Sequence, residues 1–362
     1  MKHASLWRFI LIMLGCTFSL LALKVLLQSI HFPDHVTNWY WTVSTRNIPL
    51  YRPDRNRIYA FWPNVSAGTR WSTDANAFRK QDHPKDASHS ATIITVGDSI
   101  TYGYQVTQNQ TYPFFLERGL TQSSRPAIVY NAAVPGYGID QEYIYIINEL
   151  LPTYHPDMII WNVFDNDLTD SEDACLFMRI GQQYRQIPAF FNIQYLDGKV
   201  TQSTNPVIHK SRLIRFFIAI LSHLYGRTRA TIGCTPLSRN GDWPQTSQKI
   251  QYLLKHALTA LQKTHTKLVM TLMPDEEYFD SHASETHVEP SAYRLLKETI
   301  KKSGATFVDL NETLIKNSTP SAYSSLFLRS DEDPFYPHHL SALGHSAVAN
   351  ALLPFIQNLL KH

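Results

Sequence analysis

A serine, a histidine, a glycine and an asparagine stand in four short blocks of this chain. Each block borders an apolar run or a helical pattern. The first is Thr95-Val96-Gly97-Asp98-Ser99-Ile100-Thr101-Tyr102-Gly103, and the second is Asn131-Ala132-Ala133-Val134-Pro135-Gly136-Tyr137-Gly138. The third is Phe164-Asp165-Asn166-Asp167, and the fourth runs from Asp331 through His338-His339-Leu340-Ser341 to Gly344-His345. A serine hydroxyl is a poor nucleophile until a base takes its proton. The tetrahedral oxyanion it forms with an acyl carbon needs fixed hydrogen-bond donors. Ser99 offers the hydroxyl and His339 the base. Gly136 offers a backbone N–H that can approach closely, and Asn166 a side-chain N–H₂. Such a set can move acyl groups through a covalent intermediate.

These residues need a rigid frame, and the hydropathy pattern supplies one. Apolar, β-branched runs predict strands over Thr92–Val96, Ala127–Asn131, Met158–Val163, Lys267–Leu272 and Thr306–Leu310. Helical periodicity falls near Tyr112–Leu120, Asp140–Leu150, Gln245–Lys263, Ser291–Ser303 and Ser341–Leu360. Strands alternating with helices imply a parallel five-stranded sheet covered on both faces. Ser99 then lies just past a strand's carboxyl end, where open α/β sheets keep their ligands.

Taken in this order, the four blocks resemble the SGNH (GDSL) hydrolase family over roughly residues 91–360. Asn76-Ala77-Phe78-Arg79 and Thr111-Tyr112-Pro113 also resemble segments of an extracytoplasmic branch. The resemblance implies a flavodoxin-like α/β/α sandwich. It implies Ser99 as nucleophile and His339 as general base, with Ser99 N–H, Gly136 N–H and the Asn166 side chain as the oxyanion hole. His338 is a rival base, and the Leu340-Ser341 that follows favours His339. The family usually has Asp two or three residues before its His, where this chain has Pro337 and Tyr336. Asp333 is therefore the preferred third member of the triad. Asp331, or a Ser-His dyad oriented by a backbone carbonyl, is the alternative.

Other features bound the reading. The net charge of +3 and the absence of like-charged blocks argue against nucleic acid. The sixteen histidines are scattered and no paired-Cys spacing occurs, so neither a metal nor an organic cofactor is implied. Asp165, Asp167 and Asp170 read as solvated turn carboxylates rather than a cation site, and Asp98 as a turn residue bonded to backbone. His345 reads as a helix residue packed beside the sheet. Cys175 and Cys234 are either one disulfide or two separate thiols, the former requiring an oxidising compartment.

Three segments are expected: an anchor over 1–30, a loop-rich lead-in over 31–90, and the hydrolase domain over 91–362 with an insertion at about 168–244. Phe9 to Leu27 is apolar but for Lys24, and as a helix would be about 28 Å long, near the bilayer's hydrocarbon thickness. Lys2 and Arg8 precede it, which orients the chain's start inside and the bulk extracytoplasmic, periplasmic or lumenal. A cleaved signal peptide is the competing reading. Within the insertion, residues 213–225 are apolar nearly all round. They form either a helix buried on the core or a lid or membrane-facing cap. The chain thus reads as a membrane-anchored esterase of an acylated small molecule, lipid or glycan. An O-acyltransferase acting on an extracytoplasmic glycan and a non-catalytic module of the same fold are the alternatives.

Overall fold

The computed structural model describes residues 2–30, 50–66, 72–84, 90–189, 192–229, 244–283, 291–316, 323–328 and 339–361. Two short strands, β1 (Tyr51–Asp54) and β2 (Ile58–Phe61), pair as an antiparallel hairpin. The central sheet is built from β3 (Ala91–Val96), β4 (Ala127–Asn131) and β5 (Met158–Val163). Two strands further along the chain complete it. Between them and β5 lies a second hairpin, β6 (Phe177–Ile180) with β7 (Gln183–Gln186). The completing strands are β8 (Lys267–Leu272) and β9 (Thr306–Asp309). All five pair in parallel, in the order β4-β3-β5-β8-β9. This is the flavodoxin-like order, and its crevice opens at the carboxyl ends of β3 and β5, where the direction of winding reverses.

The strands are apolar on both faces because helices cover both. Ile94, Val96, Trp161 and Met270 point to one core, closed by helices Pro244–Lys263 and Ser291–Ser303. Ile93, Ile160 and Val269 point to the other, closed by Tyr112–Thr121 and Ala342–Lys361. Alternation along each strand therefore sorts neighbours into separate cores, as the pleat requires. The predicted strands and helices agree with these bounds to within about a residue, save near Asp140–Leu150. There the α-helix Ile139–Tyr145 passes into a π-helical turn, Ile146–Leu150, before a further short helix.

Among its described residues the insertion is helical with one addition, the β6–β7 hairpin. Helix Ile193–Thr201 packs on β1 and β2, and helix Arg212–Arg229 packs on it. The buried Arg215 guanidinium pairs with the buried Asp197 carboxylate and donates from Nη2 to Thr201 Oγ1 at 2.7 Å. The lead-in also holds more order than a loop. Tyr51 stacks on Phe61 at 4.7 Å between centroids, and Phe61 on Tyr102 at 5.2 Å, which ties the first hairpin to the central domain. The spacer residues 85–89 and the aromatic run Trp39-Tyr40-Trp41 lie outside the described residues.

Helix Lys2–Ser29 is long and apolar enough to cross a membrane. Leu11, Leu14, Phe18 and Leu21 are exposed along it, whereas Leu27 in its last turn is buried.

Candidate active site

The Ser99 corner is shaped by what surrounds Gly97. A Cβ at Gly97 would lie 2.3 Å from Thr101 Oγ1 and 2.8 Å from Thr101 Cβ, so only glycine lets the chain turn there. Asp98 then caps the short helix Ser99–Tyr102, its Oδ1 accepting from Ile100 N–H at 2.9 Å. This is the backbone role read from the sequence. The other oxygen of Asp98 accepts from Ser99 Oγ at 3.3 Å. Burial pushes the Asp98 carboxyl up, and the Ile100 N–H and the charge of His339 pull it back.

His339 Nε2 lies 3.0 Å from Ser99 Oγ. The histidine is carried by a short antiparallel bridge rather than by a helix. Leu328 N–H donates to His339 O at 2.8 Å, and Ser341 N–H donates to Leu326 O at 2.8 Å. Ser341 Oγ accepts from Gly344 N–H at 3.2 Å and opens the helix Ala342–Lys361. The Tyr104 ring stands 5.8 Å from the imidazole. Asp331, Asp333 and His338 lie outside the described residues.

The Gly136 loop is held from both sides. Val134 N–H donates to Gly97 O at 3.0 Å, and Tyr59 OH donates to Pro135 O at 3.0 Å. Gly136 itself has φ of 75°, a left-handed conformation that favours glycine. Asn131 Nδ2 donates to Thr101 O at 3.0 Å and binds this loop's start to the nucleophile helix. Arg79, in the lead-in, donates its N–H to Asn131 O at 2.9 Å and its Nη2 to Val106 O at 2.7 Å. Among the described residues no acceptor takes the N–H of Ser99 or of Gly136.

Asn166 begins the helix Asp167–Ala174 but does not cap it with its side chain. Its Nδ2 donates to Asp170 Oδ2 at 3.0 Å, and its amide helps pull the Asp98 carboxyl down against the effect of burial. Ser99, Asp98 and His339 are thus one connected group, with Asn166 beside it. The solvated reading of the neighbouring carboxylates is corrected here. Asp167 is fully buried, accepting from Phe164 N–H at 2.8 Å, and Asp170 is partly buried against Asn166. Burial, then the charge of Asp275, pushes Asp165 up to about 7. Burial likewise raises Asp167, with Glu142 next in effect, and Asp170, with Asp98 next. Helix Ile139–Tyr145 packs on this turn and helps to bury it, which no local pattern could announce. No group of three His, Cys, Asp or Glu among the described residues is arranged to hold a metal ion.

Beneath the corner, Asn162 ties three elements together. Its Nδ2 donates to Val96 O at 2.8 Å and to Tyr112 OH at 2.6 Å, while Oδ1 accepts from Thr271 Oγ1 at 2.8 Å. His345 lies buried beside the sheet, its Nδ1 accepting from Tyr112 N–H at 3.2 Å. Asn162 and Tyr104 are absent from the sequence reading, and Asp170 figures there only as a turn carboxylate, not as a partner of Asn166. Only the four-residue spacing of Asn166 and Asp170, one helical turn, could have flagged a pair. Cys175 is disulfide-bonded and Cys16 is free, while Cys234 lies outside the described residues.

Comparison with known proteins bears on the whole arrangement. The chain is similar in structure to the psychrotrophic esterase EstA from Pseudoalteromonas sp., at 12% identity and TM-score 0.41, covering 75% of this chain and 100% of that one. It is similar to a catalytic mutant of Axe2, an acetylxylan esterase from Geobacillus stearothermophilus, at 14% identity and TM-score 0.40, covering 74% and 94%. A member of the lipolytic protein G-D-S-L family from Veillonella parvula DSM 2008 matches at 13% identity and TM-score 0.38, covering 73% and 97%. No curated protein matches the chain in sequence. A family model described as GDSL-like Lipase/Acylhydrolase matches residues 95–347, a span that includes the blocks of Ser99, Gly136, Asn166 and His339. The chain therefore belongs to the GDSL-like lipase/acylhydrolase family and is an ester-bond hydrolase.

Proposed function

We propose that Ser99 is the nucleophile of a membrane-anchored esterase and that His339 is its general base. The observation that carries this reading is the 3.0 Å contact between Ser99 Oγ and His339 Nε2. As Oγ attacks the acyl carbon, Nε2 takes its proton. The charge that develops on the carbonyl oxygen is held by the N–H groups of Ser99 and Gly136 and by Asn166 Nδ2. The imidazolium gives its proton to the departing alcohol oxygen, leaving an acyl ester on Ser99. Water then attacks that ester with His339 again as base, and the acid leaves. Asp333 is the proposed orienter of His339 Nδ1. The hydrolase domain over 91–362, with its insertion, carries this chemistry.

The anchor is proposed for residues 1–30. The last turn of helix Lys2–Ser29 is built into the domain, with Leu27 buried and Gln28 O accepting from Arg212 Nη1 at 3.2 Å. A cleaved leader would take those contacts with it. A disulfide at Cys175 supports an oxidising, extracytoplasmic side.

The test is turnover of p-nitrophenyl esters, acetate through dodecanoate, by the detergent-solubilised full chain beside Ser99→Ala. Turnover that disappears in the variant is expected, and the chain-length optimum reports the acyl group accepted. Equal turnover in both proteins would remove Ser99 from the mechanism.

A further inference from the structure

Helix Arg212–Arg229 has two faces. Ile218 and the ion-paired Arg215 are buried against the domain. Phe217, Ile220 and Leu221, three and four positions apart and so on one stripe, are 44%, 39% and 49% exposed. Two more exposed aliphatic residues, Val207 and Ile208, lie in the short helix just before it. Scattered apolar residues on a surface mean little, but a contiguous set marks a contact site.

Two observations identify what covers this face. The first is position. Arg212, in the helix's first turn, donates to Gln28 O at the end of the N-terminal helix, and Leu27 is buried beside it. The exposed stripe therefore begins where the anchor would leave the bilayer. The second is charge. Leaving aside the buried Arg215–Asp197 pair, residues 197–229 carry five Lys or Arg and no Asp or Glu, although the chain as a whole is nearly balanced at 33 against 30. Apolar side chains on a helix flanked by basic residues suit the boundary between headgroups and acyl chains of an anionic bilayer.

We infer that the Phe217-Ile220-Leu221 face lies in the surface of an anionic phospholipid membrane, as a second seat beside the transmembrane anchor. This rests on the anchored reading above. The seat fixes the domain's tilt, so that the domain does not swivel on a single span. Arg212 couples the two elements, and the buried Arg215–Asp197 pair fixes the helix to the domain beneath.

The test uses the full chain with Cys16→Ser, reconstituted in vesicles of phosphatidylcholine and phosphatidylglycerol. A nitroxide is placed through Leu221→Cys, and a second through Lys302→Cys marks an aqueous position. Turnover of a soluble ester confirms that each labelled protein is folded. The expected result is a Leu221→Cys label open to oxygen and shielded from a water-soluble nickel chelate, while the Lys302→Cys label meets the chelate freely. A Leu221→Cys label open to the chelate, in a chain that resists alkaline carbonate extraction, overturns the second seat and leaves the anchor standing. Shielding from both reagents means protein packed on the face and also overturns it. Release of the chain by carbonate overturns the anchor, and the seat falls with it.

Discussion

Asp170 holds the side-chain amide of Asn166 by a 3.0 Å bond from Nδ2, one helical turn away. The same amide helps pull down the carboxyl of Asp98, the neighbour of Ser99. An amide free to rotate would present oxygen as readily as nitrogen to a developing oxyanion. With one N–H of Nδ2 tied to Asp170, the amide is held with its nitrogen end fixed and its second N–H is left for the oxyanion. Asn166→Ala is expected to lower kcat by about 10²–10³-fold with KM little changed, the usual loss for one oxyanion donor. Asp170→Asn acts through Asn166 and should cost about tenfold alone and nothing further in the Asn166→Ala background. Additive losses in the double variant would show that Asp170 acts independently of Asn166.

Gly97 gives a steric prediction. The Cβ of Gly97→Ala would overlap Thr101 Oγ1, and Asn162 O stands 3.2 Å away on the other side. The corner must shift, and a displacement near 1 Å at the nucleophile can cost about 10²-fold in rate. Steady-state turnover should fall by that order while the far-ultraviolet spectrum stays native. Unchanged turnover would mean that the corner yields without moving Ser99.

The acid side of the stability profile should depend on His345. Burial, aided by the charge of Arg79, pushes this imidazole from 6.5 down to about 3. Between those values the unfolded chain binds a proton that the folded chain does not. His345 therefore contributes stability above the unfolded value that is lost as pH falls toward about 3. Asp165 works in the opposite direction. Pushed up from 3.8 to about 7, it favours the folded state at low pH and loses that contribution as pH rises through the interval. Urea midpoints measured across this range should fall less steeply with acid in His345→Asn than in the parent. They should decline less with alkali in Asp165→Asn. Parallel curves for variants and parent would contradict both assignments.

The bond at Cys175 should be worth about 2–4 kcal/mol, the usual contribution of a native disulfide. Reductant is expected to lower the unfolding midpoint, and non-reducing peptide mapping to join Cys175 to Cys234. A midpoint indifferent to reductant would mean that the bond constrains little.

The central sheet was legible because its inner strands β3, β5 and β8 are short, largely buried runs of apolar and β-branched residues such as Ile93-Ile94-Thr95-Val96. Both hairpins escaped notice for opposite reasons. In β1, Pro53 breaks the strand pattern, and aromatic packing by Tyr51 and Phe61 sustains the pairing instead. In β6 and β7 most side chains are exposed, so no alternation marks a buried face. The contact of Ser99 with His339 was readable because each residue sits in its own local block. The burial of Asp167 was not, since packing on the sheet and neighbouring helices creates it, and the tie from Asp170 to Asn166 was open only to a reading of the four-residue spacing. Residues 213–225 read as apolar all round. The helix that contains them keeps Arg215 inside with Asp197 and leaves Phe217 and Leu221 outside, a division that depends on a partner carboxylate no local window contains.

The most direct measurement is covalent. A fluorophosphonate reacts with a hydroxyl only when a neighbouring base has made it nucleophilic. Incubation of the detergent-solubilised chain, followed by peptide mass mapping, should place a single phosphonyl adduct on Ser99. Adduct formation should be lost in His339→Ala while Asp98→Asn retains at least part of it. An adduct on another serine, or labelling of Ser99 that is undiminished without His339, would contradict the proposed catalytic pair.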